Sequence, residues 1–148
     1  MFLESFKEFS SKKTSLISAF PGTGKSHFFK NSDLKVLDSD SSKFDKSNFP
    51  TNYISHIKEN LGKADIILIS SHLDVRNALV ENGLNFTLVY PDKNLKEEYL
   101  ERYKNRGSDE KFIKLLNDNW NNWISELEEQ TGCNHIILKS GQYISDVL

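Results

Sequence analysis

The stretch from Thr14 to Ser26, TSLISAFPGTGKS, sets the tightest limit on how this chain can fold. An apolar run of strand character ends in a Pro/Gly loop, and Lys25-Ser26 follow where a helix is expected to begin. Gly22 and Gly24 leave the backbone free to turn tightly. Successive N–H groups can then converge on an anion while the next helix presents its positive N-terminus. The pattern reads as a phosphate-binding loop, with Pro21, Gly22, Thr23, Gly24 and His27 around the nucleotide phosphates. Lys25 would reach the β- and γ-phosphates and the Ser26 hydroxyl would ligate Mg²⁺. One position departs from G-x-x-x-x-G-K-[ST]: Ala19 replaces the first glycine, which keeps the site small but restricts φ. The competing reading is an ordinary strand-turn-helix that happens to contain Gly-Lys-Ser.

Around this loop the chain alternates strand and helix patterns. Lys25 to Asn31 reads as a helix, and LKVLD at 34–38 as a strand closing on Asp38-Ser39-Asp40. Tyr53, Ile54, Ile57 and Leu61 recur at helical spacing before Gly62. ADIILISS at 64–71 is a continuous apolar run, as expected of a strand buried on both faces of a parallel sheet. A helix at 73–82 ends at Asn82-Gly83, and NFTLVY at 85–90 is a strand expected to halt before Pro91. Segments 94–106 and 109–130 read as helices broken at Gly107, HIILK at 135–139 as the last strand, and a short helix closes the chain. The alternation predicts an α/β fold with a five-stranded parallel sheet, helices on both faces and right-handed crossovers.

With 148 residues, the chain is long enough for one compact core and short for two, so a single domain over 1–148 is expected. A net charge of -2 supplies no general attraction to nucleic acid or to an anionic membrane. There is no basic stripe with interleaved aromatics either, so a nucleic-acid partner is not expected. Cys133 is the only cysteine, which excludes an internal disulfide and a C-x-x-C metal site and fits a reducing compartment. Phe2, Phe6 and Phe9 are spaced to share a helical face. That N-terminus lacks the long apolar core and cleavage site of a secretory signal, and no run approaches the ~18 residues of a membrane span. A cytoplasmic location is expected.

The segments SAFPGTGKS, VLDSDSS, ILISSH, FTLVYP and ERYKNRGSDEKF resemble the small P-loop kinases: the nucleoside monophosphate kinases, adenylate kinases among them, and their shikimate- and gluconate-kinase-like relatives. The resemblance covers most of the chain in its order of elements, while the Gly-rich loop is its specific match. It implies a three-layer αβα P-loop NTPase fold with sheet order 2-3-1-4-5 and a short helical lid within about 94–130. It also implies an acceptor bound in the crevice at the carboxyl ends of the strands, which is the general rule for open α/β sheets.

Two carboxylates at a strand end beside such a loop can divide two jobs: one holds Mg²⁺ through water, and the other orients or deprotonates an acceptor hydroxyl. By resemblance to shikimate- and dephospho-coenzyme-A-kinase-like proteins, Asp38 takes the metal side and Asp40 the acceptor side. A solvated turn is the alternative, since Asp and Ser favour loops and helix starts. Adenylate kinases carry an aspartate after the third strand. Here Ser70-Ser71-His72 stand instead, which shifts metal duty toward Asp38 and leaves Ser71 and His72 as candidate substrate contacts. Arg76 shares a helical face with His72 and could fork onto an acceptor phosphate or carboxylate, or be a surface arginine. Arg102 and Arg106, also four apart, resemble lid arginines that stabilise the transferring phosphoryl group. By position, Gly141 in Ser140-Gly141-Gln142 resembles the loop that holds the adenine edge. Trp120, Trp123, Ile124 and Leu127 form a stripe at helical spacing, read as core.

These residues point to an ATP- (or other NTP-) and Mg²⁺-dependent phosphotransferase, with a nucleoside or deoxynucleoside monophosphate as the leading acceptor. One alternative is a kinase of a hydroxyl on a small metabolite or nucleoside. The other is a nucleotide-binding regulatory protein with slow NTP hydrolysis.

Overall fold

The computed structural model describes residues 13–148, so the face expected from Phe2, Phe6 and Phe9 lies outside the described residues. Strands β1 (Ser15–Ala19), β2 (Val36–Asp38), β3 (Ile66–Ser70), β4 (Thr87–Pro91) and β5 (Asn134–Leu138) form one sheet. All neighbours are parallel, in the order β2-β3-β1-β4-β5. Among the described residues the connections are α1 (Lys25–Asn31), α2 (Thr51–Asn60), α3 (Leu73–Glu81), α4 (Lys96–Asn105) and α5 (Glu110–Glu129), with α6 (Ile144–Val147) after the last strand. Single 3₁₀ turns lie at Ser41–Lys43 and Lys93–Leu95. No helix among the described residues is long and apolar enough to cross a membrane.

Side-chain parity along the strands divides the core in two, because successive residues of a strand point to opposite faces. Leu16, Ile67, Ile69, Leu88 and Tyr90 belong to the larger core, with Tyr53 and Ile57 of α2, Leu79 of α3, Tyr103 of α4 and Trp120 and Ile124 of α5. Ile17, Ala19, Ile66, Leu68 and Val89 meet Phe28 of α1 and Ile144 of α6 on the other face. Three layers result, with four helices on one side of the sheet and two short ones on the other. From β1 the chain crosses toward β2, and from β3 it crosses back past β1 to β4. A crevice therefore opens at the carboxyl ends of β1 and β3.

The expected strands and helices are found with ends shifted by a residue or two, and the end of β4 has a physical reason. β4 does not halt before Pro91 but includes it, in register with Leu138. The pairing of β4 with β1 ends at Val89, so the missing proline N–H falls where the sheet is paired on one side only. The segment at 94–130 is largely part of the core: Tyr99 and Tyr103 of α4 and Leu116, Trp120, Ile124 and Leu127 of α5 are all buried. Gly107, at φ +79°, breaks the two helices, and the Asp109 carboxylate caps α5 by accepting from Lys111 N–H at 2.7 Å.

Candidate active site

Ala19 is the last residue of β1, paired with Ser70 of β3 and Val89 of β4. The residue that replaces the glycine of the motif thus sits in extended backbone, where alanine suffers no conformational penalty. Beyond it, the loop is held by its carbonyls. Phe20 O accepts from Thr23 Oγ1 at 2.7 Å, Pro21 O from the Tyr103 hydroxyl at 2.8 Å and Gly22 O from Arg102 at 2.8 Å. Thr23 O accepts from Ile144 N–H at 2.8 Å. A trans peptide directs its C=O and N–H to opposite sides. Tying these carbonyls to α4 and α6 therefore turns the N–H groups of Gly22, Thr23 and Gly24 away from those helices. Gly22 and Gly24 take φ +88° and +93°, and Gly24 caps α1 with no side-chain hydrogen bond to the helix start.

Arg102 is the hub of the carbonyl side. Its guanidinium lies between the rings of Tyr99 and Tyr143, 4.3 and 4.0 Å from their centroids, and also donates to Gln142 O at 3.1 Å and Glu98 at 3.0 Å. Glu98 in turn accepts from Ser140 Oγ at 2.5 Å and Gly141 N–H at 2.9 Å. The Ser140 and Gly141 hydrogen bonds, with Arg102 beside them, hold the Glu98 carboxyl below its usual range. Arg106 is exposed at the turn between α4 and α5, donates to Ser108 Oγ at 3.0 Å and lies over the Tyr103 ring. Its charge reaches Lys25.

On the opposite side stands the Asp-Ser-Asp segment. Ser39 continues β2 by donating its N–H to Leu68 O at 3.0 Å, and its side chain turns inward to His56, 3.1 Å away. The buried Tyr53 hydroxyl donates to Ser39 O at 2.7 Å and accepts from Ser70 N–H at 3.4 Å. With Ser39 pinned inward, Asp38 and Asp40 are exposed on either side of it. Burial pushes the Tyr53 hydroxyl up to about 12. Burial also lowers the Lys25 ammonium, an effect opposed by Asp38 and Asp40 and reinforced by Arg106.

A cavity of about 710 Å³ joins these groups. Of the residues singled out in the sequence, Pro21, Lys25, Ser26, Asp38, Asp40, Ser71, His72 and Arg76 line it. Gly22, Thr23, Gly24, Arg102, Arg106 and Gly141 are not among its lining. Exposed His27 lies on α1 with Asn31 against it. His72 caps α3 without a side-chain hydrogen bond. Arg76 is 3% exposed: Nε donates to Ser71 O at 2.9 Å, NH1 to Gln130 Oε1 at 2.7 Å, and NH2 lies 3.9 Å from Glu126. It is neither a surface arginine nor an open fork.

The wall supplied by α5, namely Leu115, Trp123, Glu126 and Leu127, was not apparent as a site in the sequence, nor was Leu73. The Ser70 hydroxyl in the lining is shielded from solvent and has no hydrogen-bond partner among the described residues. Among the described residues no group of three or more His, Cys, Asp or Glu side chains is placed to hold a metal ion. The two residues read from the sequence as metal ligands, Ser26 and Asp38, are both exposed and line this cavity together with Asp40. That sparse, all-oxygen set suits Mg²⁺, which keeps water and phosphate oxygens as most of its ligands. No protein-family model matches the chain and no curated protein matches it in sequence, so the reading of this site rests on its geometry.

Proposed function

We propose that the protein is a Mg²⁺-dependent phosphotransferase that uses ATP and modifies a small molecule bound in the cavity. The observation that carries this reading is the row of loop carbonyls tied to α4 and α6. It turns the intervening amides toward the side where a phosphate chain would lie, next to Lys25. Ser26 and Asp38 hold Mg²⁺, which supplies charge neutralisation at the donor phosphates. Lys25 contacts the transferring group, and Arg106 supplies further positive charge from the 106–109 turn, the part of the lid region that the core does not claim. Arg102 acts on the loop through Gly22 O and is a positioning residue. The 140–142 loop, fastened to Glu98, borders the adenine side.

The resemblance favours a nucleoside monophosphate as acceptor, for which Arg76 would grip the acceptor phosphate. A specific observation favours the second reading, an acceptor hydroxyl: Arg76 is already committed to Ser71, Gln130 and Glu126. The Asp38 and Asp40 carboxylates meanwhile line the same cavity. Phosphate transfer from Mg-ATP to a panel of nucleoside monophosphates, nucleosides and small hydroxy acids tests the proposal, with Lys25→Ala as control. Lys25-dependent phosphorylation of one acceptor class is expected. ATP binding with slow hydrolysis and no phosphorylated acceptor would overturn it in favour of a regulatory nucleotide-binding protein.

A further inference from the structure

Three observations on the cavity bear on its ligand, and none involves the Gly-rich loop amides. First, charge: among the described residues the lining holds two cationic side chains, Lys25 and Arg76, against three carboxylates, Asp38, Asp40 and Glu126. A phosphate monoester would add about -1.5 to -2 charges at neutral pH, and the one arginine in the lining is engaged on three sides. Second, shape and polarity: Leu73 and Leu115, 50% and 51% exposed, both border the cavity and together give it an apolar rim. Third, half-buried Trp123 stands in the same wall beside Leu127. Apolar side chains exposed together around a cavity mark a surface that a ligand covers.

We propose that the cavity takes an uncharged alcohol carrying a flat ring, as a nucleoside does, with the ring against Trp123 and the hydroxyl at the Asp38–Asp40 end. This rests on the phosphotransferase reading only for what happens next. The acceptor hydroxyl oxygen bonds to the γ-phosphorus of ATP and the bond from that phosphorus to the β,γ-bridging oxygen breaks. ADP leaves with the electron pair, and the hydroxyl proton passes to a carboxylate of the Asp-Ser-Asp segment and then to water. A ring compound already bearing a phosphate in place of the hydroxyl is excluded by the carboxylates.

The test uses the whole protein and pairs of probes, nucleosides and their 5′-monophosphates, in two readouts. Quenching of tryptophan fluorescence without ATP reports ring binding, and transfer from Mg-ATP reports turnover. A nucleoside is expected to bind at least tenfold more tightly than its monophosphate. Trp123→Leu is expected to abolish the quench and raise the acceptor KM about five- to hundredfold, the range of base-stacking losses, with kcat within twofold. Tighter binding of the monophosphate, or a KM that Trp123→Leu leaves unchanged, overturns the proposal. If nucleosides quench Trp123 but no ATP is bound, the ligand class stands and the phosphotransferase reading falls. If Lys25-dependent transfer goes to monophosphates alone, the reverse holds.

Discussion

Gly22→Ala probes how tightly the Gly-rich loop is fixed against α4. At φ +88° an L-residue occupies the left-handed region, which costs about 1–2 kcal/mol. A Cβ there would also lie 2.7 Å from Tyr103 Cε1 and 3.2 Å from Tyr99 Cδ2. Neither ring can swing out: both tyrosines are fully buried, and the Tyr103 hydroxyl is bonded to Pro21 O. Overpacking of this kind adds about 1–3 kcal/mol, so the total is about 2–5 kcal/mol. At ~3 °C per kcal/mol for a chain of this size, Tm should fall by about 6–15 °C. Gly62→Ala is the control, because φ is +82° and none of the described residues lies within 4 Å of the added Cβ; only the backbone cost of about 1–2 kcal/mol remains, a fall of about 3–6 °C. Gly24→Ala should fall between the two, since its nearest neighbour is the 40% exposed Tyr143 ring, 3.0 Å away and able to move. Calorimetric or circular-dichroism melts of the three variants decide the matter. A Gly22→Ala midpoint within 2 °C of that of Gly62→Ala would refute the close packing of α4 on the loop.

Tyr53→Phe removes the donor to Ser39 O and the acceptor for Ser70 N–H. Leaving a buried carbonyl unpaired costs about 1–3 kcal/mol, and urea unfolding should show it as a lower midpoint at unchanged slope; an unchanged midpoint would mean that Ser39 is held by other means. The same hydroxyl predicts an alkaline limit. Tyr53 and Tyr99 are both pushed up to about 12 by burial, whereas a tyrosine in the unfolded chain titrates near 10. A folded value above the unfolded one means that the contribution is complete below about pH 10 and is lost as pH rises toward 12. The urea midpoint should therefore hold steady from pH 8 to 9.5 and fall by pH 11, less steeply in Tyr53→Phe. A fall that is complete by pH 9.5 would contradict the assignment.

The order of elements was legible because each strand is a short apolar run and α2, α3 and α4 carry their own stops: Gly62, Asn82-Gly83 and Gly107. The cavity residues were legible for the same reason. Lys25 and Ser26, Asp38 and Asp40, and Ser71, His72 and Arg76 follow the carboxyl ends of β1, β2 and β3, which the sheet order makes neighbours. Trp123 was hidden by a pattern that is correct for its neighbours. Trp120, Ile124 and Leu127 are buried at the same helical spacing, but the apolar face is wider than the core it meets, so Trp123 at its margin reaches the cavity. Tyr53 likewise reads as a core residue, and periodicity says nothing of its hydroxyl. The Glu98–Arg102 pair was readable from its i, i+4 spacing. The bonds of Arg102 to Gly22 O and Gln142 O join segments distant in sequence, and only the fold brings them together.

The two faces of the Gly-rich loop are consequently served by different helices. α4 holds the carbonyl side: Tyr103 takes Pro21 O, Arg102 takes Gly22 O, and Glu98 fastens the 140–142 segment that precedes Ile144, the donor to Thr23 O. α5 touches none of these carbonyls; it fills the core with Leu116, Trp120 and Ile124 and gives its margin, Leu115, Trp123 and Glu126, to the cavity. A substitution at Leu115 or Trp123 removes none of these carbonyl hydrogen bonds, while α5 still backs the loop through Trp120, whose ring meets Phe20 edge-on at 5.7 Å. On the proposed phosphotransferase reading, such a division would let acceptor preference vary through the exposed margin of one helix while the carbonyl hydrogen bonds of the Gly-rich loop stay in place. The charge balance in the cavity depends on the same division, since Glu126, 3.9 Å from Arg76, belongs to α5, and Gln130, which accepts from Arg76 at 2.7 Å, is the C-cap of that helix.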